Sequence, residues 1–228
     1  MFDDDTRQET SEDELFERIA DPAFPCVGAK SAMARGTLKV VACLRLDSNW
    51  DDLTIHDQLL DWARAYRAEP GGLRSLAVVF DGPYDLDEAQ FEALMWQRIQ
   101  SFADKDAWRG QPYDPRVSAD PGASHFSLSF GGEAFFVVGL HPQASRPARR
   151  SDRPTLVFNL HDQFERLRAE GRYEGMRSKI LARDVKLAGD INPMLKRHGE
   201  ASEAAQYSGR LVGDDWTCPF RDPRTHTQ

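Results

Sequence analysis

Two histidines, one cysteine and a short arginine-rich segment carry most of the reactive chemistry in this sequence. His141 and His161 each follow an apolar run, at 134–140 and 154–160, and Cys26 stands between a proline and a small-residue segment. Imidazole nitrogen and thiolate sulfur are good ligands for transition metals. The segment between the two histidines is rich in arginine and poor in acid, which favours an anionic ligand. Its charged residues are Arg146, Arg149, Arg150, Asp152 and Arg153.

The histidines lie beside three predicted strands. Residues 125–130 alternate in polarity, whereas 134–140 and 154–160 are nearly continuous apolar runs rich in β-branched and aromatic residues. The Gly131-Gly132 pair predicts a hairpin between the first two. Strand ends and the loops after them often hold functional residues, so we expect a site there. A purely structural interpretation remains open, with solvated histidines and a hydrated arginine surface.

The remaining elements follow from helical spacing, caps and turn residues. Ser11 and Glu14 form a capping-box pattern, so a helix is predicted from about residue 11 to 20 after a frayed, acidic start. Asp87 is predicted to begin a longer helix, and Trp96 and Trp108 near it are expected to pack inside. The other predictions are strands at 38–46 and 73–80, helices at 57–68, 162–171 and 173–187, and a loop at 109–124.

This order of elements predicts an α+β fold with a mixed, mostly antiparallel sheet covered by helices. We expect a disordered N-terminus at 1–10 and a single domain at 11–228. The last forty residues contain enough apolar side chains to wrap back over the body rather than remain disordered. The expected anchors are Ile191, Met194, Leu195, Tyr207, Trp216 and Phe220.

Composition excludes several classes of protein. A net charge of −8 and a pI near 5.3 are unsuited to nucleic-acid binding. There is no run of 18 apolar residues and no signal-peptide pattern, so we expect a cytoplasmic protein that does not span a membrane. Three cysteines without a CxxC pair favour reduced thiols over disulfides or structural zinc.

Dinucleotide, P-loop, nucleophile-elbow and HExxH motifs are absent. The remaining combination of imidazole, thiolate, arginines and apolar runs suits a haem, in which arginines pair with the propionates. His161, Cys26 and His141 all compete for the iron at this point. His161 lies between a strand and a helix, Cys26 precedes a glycine that would admit a flat macrocycle, and Pro142 restrains His141.

The sequence resembles the YqcI/YcgG family over almost its whole length. The motifs that carry this resemblance are FPC at 24–26, HFSLSFGGEAFFVVGLHPQASRPARR at 125–150, PTLVFNLHDQFERLR at 154–168, INPML at 191–195, SEAAQYSGR at 202–210 and DDWTCPF at 214–220. Several long motifs in one order make the resemblance specific. Residues 11–228 are therefore expected to form one YqcI/YcgG-like domain.

The resemblance implies a haem-dependent N-oxygenase that hydroxylates a guanidine nitrogen of arginine or a related small molecule. It implies haem b, with His161 as the preferred iron ligand and Cys26 as the alternative, and with His141, Arg146, Arg149 and Arg150 around the cofactor. A guanidinium substrate needs a carboxylate, and Glu133 is the candidate, unless it forms a salt bridge with an arginine of the 146–153 loop.

No flavin or nicotinamide motif is present, so electrons are expected from an external reductase or from peroxide. A homodimer is the expected assembly. Two other functions remain open: a haem-binding or sensor protein without turnover, and a non-haem protein that binds a small anion.

Overall fold

The structure is a computed structural model that describes residues 4–194 and 202–226. In this part of the chain a five-stranded sheet has helices packed on both faces. The strands are β1 (Leu38–Cys43), β2 (Ser75–Phe80), β3 (Leu128–Phe130), β4 (Glu133–Leu140) and β5 (Thr155–Leu160). The α-helices are α1 (Asp4–Ala20), α2 (Val27–Ala34), α3 (Asp52–Ala68), α4 (Glu88–Trp108), α5 (His161–Ala169) and α6 (Tyr173–Ala188).

The sheet has the order β1-β2-β5-β4-β3. β1 and β2 are parallel, as expected for two strands joined by the crossover helix α3, and the other three pairings are antiparallel. The predicted α+β class and the mixed, mostly antiparallel sheet are thereby confirmed. Gly131 and Gly132 have φ angles of +59° and +78°, which a two-residue hairpin turn between β3 and β4 favours.

Alternation along the strands divides the side chains between two cores. Leu156 and Phe158 of β5 pack in the larger core beneath α3 and α4. Ala77 and Val79 of β2 face the opposite side, where Leu15 of α1 contributes to a smaller core. The core on the α3 and α4 face of the sheet is therefore larger than the core on the α1 face.

Helix α1 corrects the prediction for the N-terminus. It begins at Asp4 instead of Ser11, so residues 4–10 are helical and not disordered. The cause is a tertiary contact: Gln8 Nε2 donates to the carbonyl of Val40 at 2.9 Å, and Gln8 Oε1 accepts from the N–H of Ala42 at 2.8 Å. This side chain pairs with the free backbone edge of β1, which a sequence pattern does not reveal.

Two further differences concern helices. Helix α2 was not predicted, because its small residues give no apolar stripe. Helix α4 begins after Asp87, as predicted, and the Asp87 carboxylate caps it by accepting from the Gln90 N–H at 2.8 Å. Trp96 is buried as expected, but Trp108 is 79% exposed, so its predicted packing inside was wrong.

The C-terminal segment packs on the body as predicted. Tyr207 and Phe220 are buried in the larger core, and Trp216 packs against it. Ile191 is exposed, contrary to expectation, and Leu195 lies outside the described residues. None of the helices within 4–194 and 202–226 has both the length and the apolar character required for a membrane crossing.

Candidate functional site

A cavity of about 280 Å³ lies between the sheet and helices α1, α2 and α6. Its floor includes Phe136 and Val138 of β4 and Val157 and Asn159 of β5. These four side chains are only partly buried although they belong to inner strands, because the cavity takes the place of core packing above them. The walls are mostly apolar, which suits a flat or aliphatic ligand.

Cys26 lines this cavity at the N-terminus of α2. Its Sγ accepts from the N–H of Ala29 at 3.4 Å, so the thiol is the N-cap of the helix. Burial raises the pKa of the Cys26 thiol, while hydrogen bonds from the N–H groups of Ala29 and Gly28 and the charge of Arg149 act in the opposite direction. The helix N-terminus and the guanidinium therefore offset only part of the effect of burial, and the net shift of the pKa favours the neutral thiol.

Arg149 lies at the same cavity. Its Nη1 donates to the carbonyls of Gly139 and Tyr207 at 3.2 Å each, and its Nη2 donates to Gln206 O at 2.8 Å. Burial lowers the pKa of Arg149 to about 10, which leaves the guanidinium charged at neutral pH. Gly209 admits the side chain, since a Cβ there would lie 2.9 Å from Cγ of Arg149.

Arg146 also lines the cavity, but it is fully paired. Its Nη2 donates to Asp184 Oδ2 at 2.6 Å, and its Nη1 donates to Asp190 Oδ1 at 3.0 Å. Asp184 is buried and is the acidic residue in the cavity wall. Its Oδ1 receives only a longer contact of 3.3 Å from Arg146 Nε, so that oxygen keeps acceptor capacity.

His161, predicted as the preferred iron ligand, does not line this cavity. It lies at a second, polar pocket of about 270 Å³. Its Nε2 is 3.2 Å from Oε1 of Glu165, one turn along α5. The other residues around this pocket are Arg116, Val117, His125, Asp162 and Glu165. The structure therefore separates the two leading ligand candidates, His161 and Cys26, into different pockets.

Glu133 lies beside this second group of charges and not at the apolar cavity. Its carboxylate accepts from Arg116 Nη2 at 2.8 Å and is 3.5 Å from Arg67 Nη1. The predicted alternative, a salt bridge, is therefore present, but its partners are not the expected arginines of the 146–153 loop. Arg116 also pairs with Asp114 and Asp162, so it links three carboxylates.

His141 and Arg150 are also outside the cavity. His141 is buried on the α4 side, stacked on Phe91 with ring centroids 4.3 Å apart, and burial lowers its pKa so that the neutral imidazole is favoured. Arg150 donates to the carbonyls of Ala144 and Ser145 at 2.7 and 3.1 Å, which holds the loop together. Their suggested part in cofactor binding stays a prediction.

Four polar or soft side chains at the cavity were missed. Asn159 was detectable as a polar residue inside an apolar strand. Gln163, Met176 and Asp184 are on helices without any distinguishing spacing, and only their packing brings them to the cavity. Among residues 4–194 and 202–226, no three His, Cys, Asp or Glu side chains are grouped to hold a metal ion.

Comparison with known proteins assigns this sequence to a family. A model of the YqcI/YcgG family matches residues 15–221. No curated protein and no solved structure matches the chain. The match spans both pockets and every strand, and so includes Cys26, Glu133, the arginine loop and His161. The chain therefore belongs to the YqcI/YcgG family.

Proposed function

We propose that this protein is a haem-dependent N-oxygenase that hydroxylates a guanidine nitrogen of arginine or a related small molecule, with Cys26 as the iron ligand. The observation that carries the proposal is the Cys26 thiol, which caps helix α2 at the wall of an apolar cavity beside Arg149. The family resemblance motivates the reaction, and the lining of the cavity supports the choice of residues.

The donor set of the cavity fits a haem. Cys26 would hold the haem iron through its sulfur, and the N-terminus of α2 and the charge of Arg149 would oppose the rise in pKa that burial causes. The apolar walls suit a macrocycle, and Arg149 suits one of its carboxylates, whereas Arg146 is already paired with Asp184 and Asp190. The polar pocket at His161 offers carboxylates and an arginine in place of apolar walls, which makes it the poorer choice.

Substrate binding falls to the cavity residues. Asp184 is a buried carboxylate in the wall, and its Oδ1 can accept an N–H of a guanidinium. Glu133, proposed from the sequence, does not line this cavity. We therefore assign guanidine positioning to Asp184.

When bound, haem would supply the oxidation of the N–H bond, either with dioxygen and two electrons from an external reductase or with peroxide as the oxidant, and in both cases the second oxygen atom leaves as water. The chain orients the nitrogen and limits water around it. Helix α6 forms the outer wall through Met176 and Ile180, and Asp184 is its one buried residue among those described. Because so little of α6 is buried, we expect it to be the wall that moves when a ligand enters.

The test is the ultraviolet-visible spectrum of protein expressed with a haem precursor, compared with Cys26→Ser and His161→Ala. Serine keeps the cap of α2 but removes the thiolate, so Cys26→Ser should lose or shift the Soret band while remaining folded. His161→Ala should retain the wild-type band. Cys218→Ser is the matched control, because that thiol is partly buried outside the cavity.

If only His161→Ala loses the Soret band, His161 and not Cys26 is the iron ligand. A colourless wild-type protein would remove the haem function and favour the second candidate, a protein that binds a small anion. Arg149 supports that candidate, since its donors reach only backbone carbonyls in the described residues.

A second experiment distinguishes an N-oxygenase from a haem protein without turnover. The protein is incubated with arginine, and mass spectrometry detects any hydroxylated product.

A further inference from the structure

A chain of aromatic rings connects the cavity with the opposite face of the sheet. Phe136 lies in the cavity floor, and its ring centroid is 5.0 Å from that of Tyr207. Tyr207 is stacked on Trp96 of α4, with ring centroids 5.7 Å apart and an interplanar angle of 22°. The centroids of Trp96 and Trp216 are 6.5 Å apart. These four rings, in successive contact, form an aromatic path from the cavity to the C-terminal segment.

Tyr207 can join the two faces because it lies at the edge of the sheet. Strand β3 pairs only with residues 133–135 of β4, which leaves the rest of that edge free. There the N–H of Gly139 donates to the carbonyl of Tyr207 at 2.7 Å. The same carbonyl accepts from Nη1 of Arg149, which lines the cavity. The Tyr207 ring therefore contacts Phe136 on the cavity face and Trp96 on the α4 face.

The two tryptophans have different surroundings, which suit an internal relay and a surface terminus. Trp96 is 3% exposed, and its Nε1 has no hydrogen-bond partner in the described part of the chain. An indole that loses an electron there has no base to take its N–H proton, so it stays strongly oxidising and can take an electron from Trp216. Trp216 is partly exposed in an open groove of about 830 Å³, where water accepts the proton.

The cavity itself holds side chains that an oxidant would damage. Cys26 and Met176 both line it. Thiol and thioether sulfur are readily oxidised, and the higher oxidation states of cysteine do not revert. An oxidising equivalent that finds no substrate in this cavity therefore threatens the proposed iron ligand unless an electron reaches it from elsewhere.

We propose that Tyr207, Trp96 and Trp216 carry oxidising equivalents out of the cavity when no substrate nitrogen receives them. With peroxide as the oxidant, two electrons and two protons convert it to two molecules of water. The Trp216 indole gives up two electrons and two protons and gains one oxygen atom from water, so the net products are an oxygenated indole and one water. The oxidant rests on the proposed function, whereas the aromatic path belongs to the chain alone.

The first test uses protein without haem. An iodoacetamide derivative of anthraquinone is attached to Cys26 in a Cys218→Ser background, in which the remaining thiol, Cys43, is buried. On illumination under argon the quinone takes two electrons and two protons and becomes the hydroquinone. Peptide mass spectrometry then locates the oxygen that an indole has gained from water. Trp216 should be oxidised at least three times as much as Trp50 or Trp108, although these are 84% and 79% exposed.

The matched variants are Trp96→Phe and Trp62→Phe. Trp62 lies on α3 outside the aromatic path, and its Nε1 is likewise buried without a partner in the described residues. Trp96→Phe should lower the oxidation of Trp216 at least fivefold, and Trp62→Phe should leave it within twofold. Circular dichroism and Tm verify that both are folded. Equal or greater oxidation of Trp50 in protein with Trp96 intact would overturn the path without relying on either variant.

The second test uses haem-loaded protein and peroxide without arginine. The Soret band should bleach at least threefold faster in Trp96→Phe than in wild type, and Trp62→Phe should behave as wild type. Equal bleaching in all three proteins would overturn the proposed protection. The two tests also separate the inference from the proposed function. Oxidation of Trp216 by the quinone in a protein without a Soret band rejects only the haem, and a Soret band without oxidation of Trp216 rejects only the path.

Discussion

Arg116 Nη2 donates to Oε2 of the buried Glu133 at 2.8 Å, so the most conspicuous carboxylate of the hairpin is already neutralised by the chain. The same guanidinium reaches Asp114 and Asp162. Loop 109–124, β4 and α5 meet at this arginine, which gives it a structural role.

Glu133→Gln should therefore affect stability more than ligand binding. Replacing the carboxylate leaves Arg116 and Arg67 with a weaker acceptor, and the expected loss is about 1–3 kcal/mol of unfolding free energy. Urea denaturation measures it. Binding of L-arginine should stay within about twofold of wild type. A stable Glu133→Gln variant that no longer binds L-arginine would restore Glu133 as the substrate carboxylate.

The Cys26 thiol should respond to the loss of Arg149. The positive charge counteracts the rise in pKa that burial causes, so Arg149→Gln should raise the Cys26 pKa further. The measurement is the rate at which iodoacetamide alkylates Cys26 in haem-free protein, followed by peptide mass spectrometry. In Arg149→Gln this rate should be lower at a given pH, and the midpoint of its dependence on pH should move to higher pH. Arg150→Gln is the control, because Arg150 donates to loop carbonyls away from the cavity. Equal midpoints in the two variants would contradict the coupling.

Asp106 should be among the most sensitive positions for stability. This fully buried carboxylate is 2.7 Å from His56 Nε2 and accepts from the Gly131 N–H and from Arg224 Nη1. Asp106→Asn removes one of the two carboxylates that pair with Arg224, since Asp222 is the other. The weaker pairing in the interior should cost about 1–3 kcal/mol in urea denaturation. Asp104→Asn, on the exposed side of α4, should cost less than about 0.5 kcal/mol. Similar losses in the two variants would contradict the assignment.

Asp114 should make the free energy of unfolding depend on pH in the acidic range. Burial would raise the pKa of Asp114, but hydrogen bonds and charge from Arg116 outweigh it and hold the pKa below its usual range. Because the folded-state pKa is depressed, this stabilisation is present above the unfolded-state pKa of about 3.9 and is lost as pH falls through the folded-state value. The free-energy difference between wild type and Asp114→Asn should be largest at pH 7 and should shrink below pH 4. A difference that is constant from pH 7 to pH 3 would show that the carboxylate charge is not responsible.

Much of the local structure was predictable from contiguous residues. The hairpin at Gly131-Gly132 follows from the positive φ angles that glycine tolerates, and the strands around it follow from side-chain alternation. The cap at Asp87 follows from a carboxylate placed three residues before the N–H group that it accepts from. Helix α2 and the start of α1 were not predicted, because small residues give no periodicity and because Gln8 acts on a strand more than thirty residues away.

The sequence by itself determined the α+β class, the family and the identity of Cys26, Arg146 and Arg149 as residues to consider. It could not determine which of them share a cavity, because that depends on how α2, α6 and the arginine loop pack on one face of the sheet. Only the tertiary structure placed His161 and Glu133 in a separate charged cluster and brought Asn159, Gln163 and Asp184 to Cys26. The physical reason is that burial and charge pairing, which decide whether a polar group is free to bind a ligand, are set by residues distant in the chain.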